Sequence, residues 1–366
     1  MRLLFVLENY YPNIGGVETL FKQLIGQLVA AGHECTVITS LLQPEHPRQE
    51  QKDGLTIIRI PVPNRYLFTL YALWPVLRNV RSCDLVQTTS YNAALPAFIG
   101  AVLFRRKVVI TFHEAWGRLW FRLPFMSRFS QLAHYLFEQL LLRLPFDLFI
   151  AVSQSTAGHL AREGVPAKRI KTIYNGLDYS EFMDRLDTET VNEIFTYTYF
   201  GRLGISKGLD VLLNAAHILK ERSVDFRLQL ITPLEPEPLL AQIKKLTDEY
   251  GLKSRTIWHH HLSFTALKQV LLASDCVVIP SYSEGFCYAA AEAVALGVPV
   301  ISSSQGALPE VVSGQHIFMK SFSAEALAES MYAATNGEWE TRPLRRFELS
   351  ETVKAYIQTY KGLIKT

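Results

Sequence analysis

Short apolar runs alternate with longer amphipathic stretches along most of this sequence, and this alternation constrains the fold more than any other feature. Residues 3–7 form a run typical of a buried strand, and after it apolar residues recur at three- and four-residue steps up to Gly32. Because strand–helix–strand units build parallel sheets, the pattern predicts an α/β fold. We expect five or six parallel strands in this first series, and the further candidates are CTVIT, LTIIRI, DLVQT, VVITF and DLFIAV.

A second alternating series follows a polar stretch, residues 179–193, which we interpret as a linker. Strand candidates FTYTYF, FRLQLI, TIW, CVVIP and PVISS alternate there with helices predicted near residues 209–221, 239–250 and 266–273 and after Glu284. A chain of 366 residues is longer than one hydrophobic core usually supports. The sequence therefore predicts two doubly wound, Rossmann-like domains, residues 1–178 and 194–345, followed by an amphipathic helix in residues 346–366.

The overall charge argues against nucleic acid as a partner. The net charge is only +3, whereas nucleic-acid binding needs a strongly basic surface. Residues 1–180 carry 19 Lys and Arg against 12 Asp and Glu, and residues 181–366 carry 18 against 22. An acidic ligand or an anionic membrane surface facing the first half fits this asymmetry, and so does chance scatter of surface charges.

Cysteine usage and the length of the apolar runs favour a cytoplasmic protein. The four cysteines are far apart and form no C-x-x-C, so neither a disulfide framework nor a zinc site is indicated. The apolar run after Arg2 is too short for a secretory leader, and the longest apolar stretch, residues 93–104, is too short to span a bilayer.

Ligands of doubly wound sheets bind beyond the carboxyl ends of the strands, so the strand-to-helix loops are the candidate sites. The first such loop contains Gly15 and Gly16, whose N–H groups can approach an anion at a helix N-terminus. A left-handed turn is the alternative reason for this glycine pair. In the second domain, FGRLGISKGLD places Arg202 and Lys207 around a short loop, where they either converge on a diphosphate or are simply solvated.

The third loop, in PSYSEGFCYAAAEAV, is the most informative. Glu284 precedes a predicted helix that carries Glu292, and the two carboxylates can accept hydrogen bonds from the hydroxyls of different parts of an extended ligand. The alternative is a helix-terminal acid and a solvated acid. Between them, backbone N–H groups offer an anion site at Gly285, Phe286, Cys287 and Tyr288.

Taken together, the segments GGVE, TFHE, VSQSTAGHL, IYNGLD, FGRLGISKGLD and SEGFCYAAAEA resemble the retaining glycosyltransferases of family 4, in an order that covers the chain from Gly15 to Glu310. The resemblance implies the GT-B fold, in which two Rossmann-like domains face a cleft that holds a nucleotide sugar. It also implies that the last helix crosses back to the N-terminal domain, which would bind the acceptor, while residues 194–345 would bind the donor.

The resemblance assigns roles to individual residues. Arg202 and Lys207 would neutralise the donor diphosphate, Glu292 would bind the ribose, and Glu284 would contact the transferred sugar. His113, which ends the strand VVITF, would lie near the anomeric carbon, although a lone histidine at that position is otherwise more typical of a core residue.

The chain departs from the family pattern at Cys287, where a glycine is usual. Nothing near Cys287 in the sequence would activate a thiol, so we do not interpret it as a nucleophile. No D-x-D occurs, and the histidines of HHHL are not spaced as metal ligands, so we expect neither a metal nor another cofactor.

Residues 115–146 are basic and rich in aromatic side chains. They predict either contact with an anionic membrane surface or a packed helix pair whose arginines reach water. We favour the membrane interpretation, and its candidate residues are Arg118, Trp120, Arg122 and Arg128.

The sequence thus predicts a metal-independent glycosyltransferase that moves a sugar from a UDP- or GDP-sugar to a glycan or lipid-linked acceptor. Such an enzyme would be cytoplasmic, with peripheral contact to the inner face of the cell membrane, and would serve surface polysaccharide or glycolipid biosynthesis. A sugar-nucleotide epimerase of similar architecture and a non-catalytic nucleotide-sugar-binding protein are the alternatives.

Overall fold

The computed structural model describes residues 1–13, 15–182 and 192–365, and the chain forms two compact units. The first unit comprises Met1–Arg122, Met126–Gly176 and Phe347–Thr366, and the second comprises Leu123–Phe125 and Leu177–Arg346. Within the predicted linker, Tyr179–Phe182 form a 3-10 turn and residues 183–191 lie outside the described residues.

The first unit is built on an eight-stranded sheet with the order β3-β4-β2-β1-β5-β6-β7-β8. Seven of these strands are parallel, and the edge strand β3 is antiparallel to β4. The strands are β1 (Arg2–Val6), β2 (Glu34–Leu41), β3 (Gln49–Lys52), β4 (Leu55–Pro61), β5 (Leu85–Thr89), β6 (Lys107–Phe112), β7 (Leu148–Ala151) and β8 (Ile170–Thr172).

The expected count of five or six parallel strands was therefore too low. The strands that the sequence pattern missed are β3 and β8, at the two edges of the sheet. Their sequences are QEQK and IKT, so neither carries an apolar run that period-two or buried-strand patterns could detect.

Helices cover both faces of this sheet. One face packs on α1, whose apolar stripe consists of residues buried at the helical period. The other face packs on the remaining helices of the series. The helices are α1 (Gly16–Ala30), α2 (Phe68–Tyr71), α3 (Leu73–Asn79), α4 (Ala94–Leu103), α5 (Arg128–Arg143) and α6 (Gln154–Arg162).

The second unit has a seven-stranded sheet with the order β11-β10-β9-β12-β13-β14-β15, in which only β15 is antiparallel to its neighbour. The strands are β9 (Thr196–Phe200), β10 (Arg227–Ile231), β11 (Thr256–His259), β12 (Cys276–Ile279), β13 (Val300–Ser302), β14 (Gly314–Phe318) and β15 (Glu340–Arg342). Because β9 lies between β10 and β12, the direction of chain progression reverses at β9, and ligands of doubly wound sheets bind at such a reversal.

The four helices predicted in the second unit, α7 to α10, lie within a few residues of their predicted positions, and α7 matches its predicted range. Sequence analysis did not predict α11, α12, β14 or β15. The helices are α7 (Leu209–Glu221), α8 (Glu237–Glu249), α9 (Phe264–Leu272), α10 (Tyr288–Ala295), α11 (Leu308–Val311) and α12 (Ala324–Thr335).

After Arg346 the chain returns to the first unit, where α13 (Leu349–Lys365) packs beside α1. Tyr356 and Tyr360 are fully buried. The hydroxyl of Tyr360 donates to the Gln87 side chain at 2.9 Å, and the hydroxyl of Tyr356 lies 3.1 Å from the Thr111 hydroxyl. These contacts place the predicted apolar face of the last helix in the core of the first unit.

Candidate active site

Two residues predicted to bind the nucleotide-sugar donor, Lys207 and Glu284, form an ion pair in the second unit. The Lys207 ammonium donates hydrogen bonds to both carboxylate oxygens of Glu284, at 2.8 and 2.9 Å. The Ser281 hydroxyl donates a further bond, of 2.7 Å, to one of these oxygens. Glu284 is buried and the Lys207 side chain is 23% exposed, so the pair is largely shielded from solvent.

The loop after β9 and the loop after β12 pack directly on each other. The N–H of Tyr282 donates to the carbonyl of Ser206 at 2.7 Å. Gly208, at φ 70°, precedes α7, and a Cβ there would lie 1.9 Å from the carbonyl oxygen of Pro280. Only glycine permits this approach, because a side chain would clash with backbone and would also be strained at positive φ. The glycine therefore fixes the distance between the two loops that carry Lys207 and Glu284.

A third loop, after β13, contacts the backbone of Glu284. The carbonyl of Glu284 accepts a 2.8 Å hydrogen bond from the N–H of Ala307. A Cβ on Gly306 would lie 2.3 Å from the same carbonyl oxygen. The Ser303 hydroxyl donates to the carbonyl of Ser281 at 2.6 Å. Loops at the carboxyl ends of three neighbouring strands thus hold one carboxylate in place.

Arg202 lies in the same loop as Lys207 and its side chain is exposed. Its carbonyl accepts a hydrogen bond from the hydroxyl of the buried Tyr199 at 3.0 Å, which anchors the backbone of Arg202. The loop therefore presents one exposed cation beside one paired, half-buried cation, an arrangement that can bind a polyanion such as a diphosphate.

Cys287 caps the N-terminus of α10 at φ 76° and ψ 84°. Positive φ is strained for any residue with a Cβ, so the backbone here keeps the conformation that a glycine would favour. Burial and then the nearby Glu284 carboxylate raise the thiol pKa of Cys287 well above its usual range. A protonated thiol is a poor nucleophile, which agrees with the interpretation that Cys287 has no covalent role.

Glu292 lies on the second turn of α10 and is half-buried. Burial, with a smaller contribution from Glu181, raises the pKa of its carboxyl group to about 8. At this pKa the carboxyl group is protonated at neutral pH, rather than being the solvated, ionised acid of the alternative interpretation.

The remaining candidate residues belong to the first unit. Gly15 caps α1 in an extended conformation, φ 179°, and Gly16 is the first residue of the helix, so neither adopts the left-handed turn considered from the sequence. His113 directly follows β6 and is half-buried; its ring packs edge-on against that of Phe21, with the centroids 6.2 Å apart. These three residues lie at the carboxyl ends of β1 and β6.

Sequence analysis missed Glu8, which follows β1 and is 8% exposed. Its carboxylate lies 2.8 Å from the Nε of Arg65 and accepts a hydrogen bond from the Asn92 side chain at 2.9 Å. Burial, the largest influence, raises the pKa of Glu8 despite the arginine. An acid placed directly after the apolar run of β1 was the signal that could have found it.

The assignment of Trp120 to a surface patch was wrong. Its side chain is 4% exposed, and the indole N–H donates to the buried carboxylate of Glu138. The same carboxylate accepts hydrogen bonds from the N–H groups of Trp116 and Gly117, so Trp120 helps fold its own segment. Arg118, Arg122 and Arg128 are exposed as predicted. The segment forms a 3-10 turn, Gly117–Arg122, and α5 rather than two packed helices.

Among residues 1–13, 15–182 and 192–365, no three His, Cys, Asp or Glu side chains are grouped closely enough to hold a metal ion. No helix within those ranges is long and apolar enough to cross a membrane.

Comparison with known proteins identifies the class to which this fold and site belong. The profile described as Glycosyltransferase Family 4 matches residues 14–181, and the profile described as Glycosyl transferases group 1 matches residues 185–347. The chain belongs to the family 4 type of glycosyltransferases.

A sequence relative and two solved structures are consistent with this assignment. The chain is 25% identical over 392 residues to the GDP-mannose:cellobiosyl-diphosphopolyprenol alpha-mannosyltransferase of Xanthomonas oryzae pv. oryzae, with 98% of this chain and 96% of the relative covered. The sucrose-phosphate synthase of Thermosynechococcus elongatus superposes with a TM-score of 0.84 and 21% identity, with 100% and 99% covered. Anabaena HepE, solved in complex with UDP-glucose, superposes with a TM-score of 0.70 and 16% identity, with 99% and 100% covered. The predicted GT-B fold is confirmed.

Proposed function

We propose that the protein is a retaining, metal-independent glycosyltransferase that moves a sugar from a UDP- or GDP-sugar to a glycan or lipid-linked acceptor. The observation that carries the proposal is the Lys207–Glu284 pair, held by three loops beside the exposed Arg202. The Xanthomonas relative is named for GDP-mannose and a polyprenol-linked acceptor, and HepE was solved with UDP-glucose, which supports both parts of the proposal. The enzyme would act at the cytoplasmic face of the membrane in surface polysaccharide or glycolipid synthesis.

In this proposal the cations act on the leaving group. As the bond from the sugar to the diphosphate lengthens, negative charge grows on the departing oxygen and the sugar becomes oxocarbenium-like. Arg202 and Lys207 stabilise the charge on the diphosphate, and Glu284 keeps the ammonium in position while it accepts a hydrogen bond from a sugar hydroxyl. Groups fixed before the reaction need no reorganisation during it, which is why rigid loops favour this chemistry.

The remaining candidates complete the proposed donor site. Glu292 accepts hydrogen bonds from the ribose hydroxyls, and the N–H groups from Gly285 to Tyr288 hold phosphate oxygens. Gly15 and Gly16 approach the donor phosphate, and His113 contacts sugar hydroxyls near the anomeric carbon. The acceptor hydroxyl loses its proton to the departing phosphate on the same face of the sugar, so that the configuration is retained without a separate general base.

The test is release of nucleoside diphosphate from a panel of UDP- and GDP-sugars, with membrane lipid extracts and polysaccharide fragments as acceptors. We expect one donor–acceptor pair to give release of nucleoside diphosphate. The rate of release should fall by about a hundredfold or more in Lys207→Met and in Glu284→Gln. An α-linked donor should give an α-linked product. Lys245→Met is the matched control, because Lys245 forms an exposed ion pair with Glu249 on α8 in the same unit. Conversion of the donor sugar with the diphosphate still attached would favour an epimerase, and nucleotide binding without turnover would favour a binding protein.

A further inference from the structure

One side of the first unit exposes an unusual number of large apolar side chains. On α5, Phe129 is 83% exposed, and Leu132, Leu136 and Leu140 follow it at helical spacing on the outer surface. The opposite side of the same helix contributes Leu141 to the core. This helix therefore has two apolar faces, and the described residues of the chain cover only one of them.

Neighbouring helices extend the exposed apolar surface. Leu70 on α2 and Trp74 on α3 are 68% and 73% exposed, and Leu103 on α4 is 63% exposed. All these helices pack their inner sides on the same face of the sheet. The ring centroid of Tyr66, which precedes α2, lies 6.3 Å from that of His134 on α5, so the start of α2 is adjacent to α5. We call the outer surface of α2, α3, α4 and α5 the apolar helix surface.

The stretch of chain that carries the apolar helix surface is basic. Residues 62–146 contain ten Lys and Arg but only three Asp and Glu, a balance of +7 within a chain whose total is +3. One of the three acids, Glu138, is fully buried against backbone N–H groups and contributes nothing to the surface. Arg118, Arg122 and Arg128 are exposed beside the N-terminal end of α5.

We propose that the apolar helix surface docks on an anionic lipid bilayer, with Phe129 and Trp74 among the side chains that enter the headgroup layer and the arginines on lipid phosphates. Exposed aromatic and leucine side chains combined with arginines match the chemistry of such an interface. A second copy of the chain fits less well, because it would bring two surfaces of like charge together. The inference rests on the proposed function in one respect: docking on the bilayer would bring the enzyme to a lipid-linked acceptor.

The test is sedimentation of the full chain with vesicles of phosphatidylcholine and phosphatidylglycerol, compared with phosphatidylcholine alone. We expect binding to the anionic vesicles that weakens with salt, because screened charges attract lipid less. The double variant Phe129→Ser/Leu136→Ser should bind about tenfold or more weakly, since both apolar side chains lose their burial in lipid. The triple variant Arg118→Gln/Arg122→Gln/Arg128→Gln should lose the preference for anionic vesicles.

Matched controls are Phe264→Ser and Tyr332→Ser, which replace side chains that are each 43% exposed in the second unit. Unchanged thermal unfolding of the variants will show that they fold. Equal loss in the controls, no binding of the wild type to anionic vesicles, or a wild-type dimer that Phe129→Ser/Leu136→Ser dissociates would overturn the inference. Because vesicle binding needs no turnover, a chain that binds vesicles but releases no nucleoside diphosphate contradicts the proposed function alone.

Discussion

The Lys207 ammonium and the Glu284 carboxylate, 77 positions apart in the sequence, meet through two hydrogen bonds of 2.8 and 2.9 Å. They follow β9 and β12, which are neighbours in the second sheet. Loss of the cation that pairs with a buried carboxylate strongly lowers the stability of the fold. The pair therefore links the stability of the second unit to the geometry of the proposed donor site.

Lys207→Met should lower the free energy of unfolding by about 3 kcal/mol, because it leaves the Glu284 carboxylate buried without a counter-charge. The double variant Lys207→Met/Glu284→Gln should recover part of this loss, since it removes the unpaired charge as well. Urea unfolding of the four proteins in this double-mutant cycle measures both effects. Additive losses would contradict a direct ion pair.

Gly208→Ala should destabilise the protein by several kcal/mol, because its Cβ would lie 1.9 Å from the Pro280 carbonyl oxygen. Gly297→Ala is the matched control, since Gly297 has a similar φ of 74° but the added carbon would have no neighbouring atom of the described residues within 4 Å. The control variant should lose about 1 kcal/mol of unfolding free energy, from backbone strain alone. Equal losses in thermal unfolding would show that the contact between the loops does not constrain them.

Cys287→Gly should be more stable than Cys287→Ala by about 1 kcal/mol, because both variants lack the sulfur and only alanine keeps a Cβ at φ 76°. Both variants should retain turnover, since the raised pKa keeps the thiol protonated and we expect no covalent role for it. Thermal unfolding and nucleoside diphosphate release measure the two effects. An inactive Cys287→Ala variant that remains folded would restore the case for a thiol nucleophile.

Glu292 should make the wild type less stable as the pH rises. Its carboxyl pKa is about 8 in the folded chain and about 4.5 when unfolded, so between these values the unfolded state ionises first and is stabilised relative to the folded state. Relative to wild type, Glu292→Gln should therefore gain stability from pH 5 towards pH 8, by roughly 2–4 kcal/mol for a half-buried group. Unfolding curves at several pH values measure the difference. A difference independent of pH would mean that the carboxyl group titrates normally.

The sequence predicted those parts of the fold that follow from local periodicity. The apolar stripe of α1 and the buried face of α13 were readable because each repeats at the helical period. The strands β3 and β8 were not readable, because pairing with a neighbour rather than their own composition makes them strands.

The candidate site was predictable as a set of loops but not as a set of contacts. Arg202, Lys207 and Glu284 drew attention because each follows a predicted strand. The pairing of Lys207 with Glu284 depends on which strands are adjacent, and the contact of Gly306 with Glu284 depends on a third loop. Trp120 was assigned to the surface because composition cannot distinguish an aromatic residue that meets lipid from one that covers a buried carboxylate such as Glu138.

The most direct test of the central claim, that Arg202 and Lys207 bind a donor diphosphate, is titration calorimetry with UDP and with GDP. We expect the wild type to bind one of these nucleotides, Arg202→Ala and Lys207→Met to bind it about tenfold or more weakly, and Lys245→Met to bind it within about twofold of wild type. Affinity that is equal in all four proteins, or a folded wild type that binds neither nucleotide, would contradict the account.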